Sequence, residues 1–93
     1  MNRTETKPEQ KLPKWFNGEH YASGAEVRNR FSGEACYLNR TELSMYDFIM
    51  GCALTFEMRG AFAPQDPNMV REFDKARDWF RQNNPSAYMT LLD

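Results

Sequence analysis

Hydrophobic positions crowd into one stretch of this chain, residues 43–58, broken only by Ser44, Asp47, Gly51, Thr55 and Glu57. The pattern predicts one unusually apolar helix near residues 40–59. Asn39 is suited to cap it, and Glu42, three residues on, closes a capping box, with Leu38 and Leu43 at the two staple positions. Gly60 is a natural terminator. At about 100° per residue, Arg40, Ser44, Asp47, Gly51 and Thr55 fall on one line. Such a line reads as a solvent face, or as a strip of small residues where another backbone comes close. The apolar arc that remains spans roughly 240°, against a little over 100° for an ordinary amphipathic stripe. A helix of this kind must be covered on two sides. Either the sheet and the last helices share the task, or part of the arc meets a partner. Glu57 lies inside the arc, and if buried it needs a cation, for which Arg28, Arg30 and Arg59 are available.

The flanking pattern is weaker. Order is expected to begin at Trp15-Phe16. Asn17-Gly18 and Ser23-Gly24 are turn signals. Glu19–Ala22, Ala25–Arg30 and Glu34–Leu38 have strand character, the last two joined tightly by Phe31-Ser32-Gly33. They predict a small antiparallel hairpin or three-strand meander. Beyond a connection over Ala61–Gln65, Asp66-Pro67 marks a helix start. That helix runs to about Asn83, with Met69, Val70, Phe73, Ala76, Trp79 and Phe80 as its buried face. Asn84-Pro85 repeats the signal for a short helix over Ser86–Leu92. The fold class is therefore α+β: a small N-terminal hairpin or meander packed on two main helices plus a short C-terminal one. Residues 1–13, rich in Lys, Glu, Gln and Thr and containing Pro8 and Pro13, read as a flexible tail, and residues 14–93 as one domain.

Composition narrows the function. A chain of 93 residues allows one domain, only marginally stable alone. Aromatic residues reach 14%, which indicates a packed core, or a core plus an interface. The net charge of −1 argues against nucleic acid as the main partner. The Lys11–Tyr21 segment mixes cations with rings, but Trp15 and Phe16 serve equally as anchors to the core. The tail has no apolar signal-peptide core, and residues 43–58 are too short and interrupted for a membrane span. A cytoplasmic protein with Cys36 and Cys52 reduced is expected.

Catalytic signals are sparse. His20 is the only histidine. Its pairing with Cys36 or Cys52, with Asp47 or Glu19 as orienter, is the one formal nucleophile arrangement. Buried inert thiols fit the positions of both cysteines better. No ligand spacing suggests zinc. The charges of Asp66, Glu72, Asp74 and Asp78 interleave with Arg71, Lys75, Arg77 and Arg81 as a solvated helix face does. No cofactor is expected. The expectation is a non-catalytic interaction or accessory protein, binding itself or another protein through Trp15, Phe16, Met45, Phe48, Met50, Cys52, Phe56 and Met58. A minor virion component, and a small enzyme or metal protein using His20 with a thiol, stand as alternatives.

Leu43-Ser44-Met45-Tyr46-Asp47-Phe48-Ile49-Met50-Gly51, with Phe73, Trp79-Phe80-Arg81 and the ending Ala87-Tyr88-Met89-Thr90-Leu91-Leu92-Asp93, resembles small proteins of marine tailed phages, including those infecting cyanobacteria. The resemblance covers residues 15–93. It implies no activity, but it does imply a phage accessory protein made in a bacterial cytoplasm.

Overall fold

In a computed structural model, which describes residues 9–60 and 65–92, the chain runs through a β-hairpin into three helices. Strands β1 (Ala25–Arg28) and β2 (Ala35–Leu38) pair antiparallel, with Ala25 opposite Leu38 and Arg28 opposite Ala35. Helix α1 spans Arg40–Arg59, α2 Pro67–Asn83 and α3 Pro85–Leu91. The α+β class expected from the pattern is the class observed. The expected connection over residues 61–64 and the tail over residues 1–8 lie outside the described residues.

The hairpin has two strands, not three. Glu19–Ala22 forms no strand, because Tyr21 N–H donates to Ser44 Oγ of α1 (2.9 Å) rather than to a ladder. The hairpin loop is also longer than the expected tight turn, running from Asn29 to Glu34. Asn29 organises it: its side-chain oxygen accepts from Phe31 and Ser32 N–H, and its carbonyl accepts from Gly33 N–H. Asn29 therefore turns the chain out of the strand just after Arg28, which still pairs with Ala35. Gly33 takes a φ of +82°, where a side chain is disfavoured. Gly24 is required for space instead. A Cβ there would lie 2.2 Å from the Leu38 carbonyl oxygen.

All three helices start as their sequences direct. Asn39 accepts from Glu42 N–H (2.8 Å) while Glu42 accepts from Asn39 N–H (3.1 Å), a complete capping box. Gly60 ends α1 with a φ of +83°. Asp66 caps α2 by accepting from Asn68 N–H. Asn84 closes α2, donating its N–H to Phe80, and opens α3, its side chain accepting from Ala87 N–H. One residue thus turns the chain between two helices.

Helices α1 and α2 form an antiparallel pair, as the ring contacts Tyr46–Phe80 (6.4 Å) and Phe56–Phe73 (5.2 Å) show. The core sits at one end of that pair. Leu38, Met45, Ile49, Ala76, Phe80, Ala87, Tyr88 and Leu91 fill it, with Phe16 closing it from the N-terminal segment. Of the face expected for α2, Ala76 and Phe80 are buried, but Val70 is exposed. It stands in the first turns, beyond the reach of α3 and the hairpin.

The N-terminal segment contributes more than the sequence suggested. Within the stretch read as a tail, Gln10 donates to Glu42 Oε2 (2.9 Å) and accepts from Asn39 Nδ2 (3.0 Å), and its carbonyl accepts from Thr41 Oγ1. Glu9 pairs with Arg40 at 3.1 Å. Residues 9–21 therefore lie along the first turns of α1 and bury Thr41, Glu42 and Ser44. The expected solvent line on α1 is corrected at its start. Ser44 is only 1% exposed, its hydroxyl donating to Arg40 O and accepting from Tyr21 N–H. Asp47 and Gly51 do face solvent, and Thr55 is half-buried.

Candidate functional site

Every buried residue of α1 falls between Thr41 and Cys52. The segment that follows is rich in apolar residues but has few elements to cover it. Helix α1 is about 30 Å long at 1.5 Å per residue, whereas each strand has four residues and α3 has seven. Elements so short cover one end of a long helix and leave the other. Met50, Leu54 and Met58, four residues apart on one ridge, are 39%, 55% and 76% exposed. Phe31, on the hairpin loop, is 87% exposed.

Met50, Leu54 and Phe31 line a groove of about 640 Å³, and Met58 continues the ridge one turn beyond it. Its floor is α1, through Tyr46, Met50, Ala53, Leu54 and Glu57. One wall is the end of β1 and the start of the hairpin loop, from Arg28 to Phe31, and the other is Leu91-Leu92 at the end of α3. Local structure holds this wall in place. Arg28 donates to the Gly33 carbonyl, Asn29 Nδ2 donates to Thr90 O of α3 (3.0 Å), and the Arg30 guanidinium lies 5.2 Å from the Phe31 ring centre. The loop is thus tied to α3 while its aromatic ring stays outside. Burial pushes the Tyr46 phenol above its ordinary value, with the neighbouring Cys36 adding to the shift and Arg30 opposing it. Glu57 is exposed at the groove edge, so the buried ion pair considered for it does not arise.

The eight residues expected at an interaction surface divide. Met45, Phe16 and Cys52 are buried in the chain's own packing, so they offer no surface to a partner. Trp15, Phe48 and Phe56 are half-buried. Trp15 and Phe48 join Phe16 in one ring cluster (6.1 Å Trp15–Phe48, 5.5 Å Phe16–Phe48), and Phe56 stands edge-on to Phe73. Only Met50 and Met58 remain exposed. The structure adds Leu54 and Phe31, which the pattern did not single out. Leu54 was legible as the middle of a 50–54–58 ridge. Phe31 was hidden by its place in a turn.

A second cleft, about 560 Å³, lies between the N-terminal segment and the start of α1, with His20, Tyr21, Lys11 and Ser44 in its lining. The His20 ring stands edge-on to Phe16 at 5.3 Å. Both thiols are held above their ordinary value of 9.0. Burial is the main cause for each, reinforced by Glu42 and Glu26 at Cys36 and by Glu72 at Cys52. Such thiols stay protonated at neutral pH, which works against nucleophilic attack. Among the described residues no group of three or more His, Cys, Asp or Glu side chains is placed to hold a metal, and no helix is long and apolar enough to cross a membrane. No protein-family model, curated protein or solved structure matches the chain.

Proposed function

We propose that this protein is a non-catalytic interaction factor that binds protein through the groove between the second half of α1, the hairpin loop and the end of α3. The observation that carries this reading is the exposed Met50–Leu54–Met58 ridge, whose Met50 and Leu54 share the groove with Phe31. Together these side chains expose on the order of 500 Å² of apolar surface, taking about 200 Å² for a large side chain fully exposed. A contiguous apolar patch of that size, rimmed by charge, is the mark of an interaction site. Met side chains suit it, since a flexible thioether adapts to its partner. On the resemblance of residues 15–93 to phage proteins, the setting we propose is a bacterial cytoplasm during infection.

The test is site-specific photo-cross-linking of the full chain in cells. A photoreactive residue at position 54 should yield protein adducts, identified by mass spectrometry. The same group at position 78, exposed on α2, should yield none. Equal labelling from both positions, or none from position 54, overturns the reading.

A further inference from the structure

The groove carries the features of a surface that matches itself. Met50, Leu54 and Met58 form a ridge of the i, i+4, i+8 kind, and two such ridges interdigitate when helices cross at roughly 50°. Exposed carboxylates stand beside the ridge at Glu57, on the groove edge, and at Asp47, which lies against the Tyr21 hydroxyl. Exposed guanidinium groups stand on the opposite wall at Arg28, the last residue of β1, and at Arg30 on the hairpin loop. In a twofold interface the same patch serves both sides, so it must carry both halves of each complementary pair. This patch does. A Cβ added at Gly51 would meet nothing within 4 Å, so the chain's own packing does not require glycine there and the surface beside the ridge is open.

Resting on the protein-binding reading above, we propose that the occupant of the groove is a second copy of this chain, with two α1 helices crossing antiparallel at Leu54. Leu54 then meets its own counterpart on the twofold axis. Met50 of one copy packs against Met58 of the other, and Glu57 of one lies across Gly51 of the other. Arg28 and Arg30 of each copy face carboxylates supplied by the opposite copy. Two patches of this size bury on the order of 1,000 Å² in total, the lower bound for a specific interface. A weak, concentration-dependent dimer follows.

Sedimentation equilibrium of the full chain tests this. The mass should rise with concentration from 10.9 kDa toward twice that value. Leu54→Glu and Met58→Glu should each weaken association by about 100-fold, the effect of removing a central apolar anchor. Circular dichroism should show the helix content of the monomer unchanged, because both side chains are exposed. Mild oxidation of Leu54→Cys should give a disulfide-linked dimer, whereas wild type and Asp78→Cys give none. A strict monomer up to about 1 mM overturns the proposal, as does a dimer that both substitutions leave intact. If the chain is a monomer yet position 54 cross-links to a different protein, the second-copy proposal falls and the protein-binding reading stands.

Discussion

The two halves of α1 are built from similar residues and meet opposite fates. From Thr41 to Cys52 one face of the helix is buried by α2, α3, β2 and the N-terminal segment, and even Ser44 and Glu42 are drawn inside, while Asp47, Met50 and Gly51 stay exposed. From Ala53 to Arg59 it is packed on the α2 side through Phe56 and Phe73, while Leu54 and Met58 stand in solvent. Hydrophobicity is not the difference. The first half has its polar groups satisfied by neighbours, as when Gln10 and Asn39 donate to the Glu42 carboxylate. Among the described residues, the second half has apolar groups with no such cover. Burial follows from what the rest of the chain brings to a surface, not from how apolar that surface is.

The contrast is open to experiment. Against the first half, Phe80→Ala on α2 should cost about 3–5 kcal/mol by opening a cavity beneath Tyr46, measured by urea denaturation. For so small a domain that is enough to unfold much of the population. Loss below about 1 kcal/mol would mean that this end is packed no better than the other.

Removing the buried carboxylate comes next. Glu42→Ala should cost about 1–3 kcal/mol, because Gln10 Nε2 and Asn39 N–H lose their acceptor. Gln10→Ala should cost less, about 1 kcal/mol. If Gln10→Ala costs nothing in chemical denaturation, the N-terminal segment is no structural part of the buried half.

The thiols provide a pH test of the same burial. The folded-state pKa of Cys52 is raised above its ordinary value of 9.0, so folding favours the protonated form. Its contribution is fully present below pH 9 and is lost as pH rises through the folded value. Stability should therefore fall on an alkaline limb above about pH 9, less steeply in Cys52→Ala when denaturation midpoints are compared across pH. At pH 7.5, half-buried Cys36 should react with a thiol reagent faster than buried Cys52.

The smallest effect belongs to the second half. Met58→Ser, assayed by thermal unfolding at low protein concentration, should change monomer stability by no more than about 0.5 kcal/mol. A larger loss that grows with protein concentration would instead register association linked to folding.

How much of this was legible depended on the range of the interactions. The capping box at Asn39 and Glu42, the Asp66-Pro67 and Asn84-Pro85 starts and the stop at Gly60 each act within four residues and can be read directly. The hairpin was legible in outline, but Asn29 lengthened its loop, and a hydrogen bond from Tyr21 to Ser44 cancelled a third strand. The candidate surface was half-legible. Met50 and Met58 stood out as flexible apolar residues on a wide arc, whereas Met45 and Cys52 lay on the same arc and proved buried. Angle around a helix says which residues share a face, but not how far along the axis that face is covered.

From sequence alone come the helix boundaries, the class of the fold and the excess of apolar surface on α1, because capping, turn chemistry and periodicity are local. Only the tertiary structure decided that the N-terminal segment spends itself on the first turns of α1, that Ser44 is inside, and that Met50, Leu54 and Met58 are outside. Those outcomes turn on which elements are long enough to reach which surface. Contacts across separations such as 32 residues from Gln10 to Glu42 and 61 from Asn29 to Thr90 set that reach, and no local pattern encodes them.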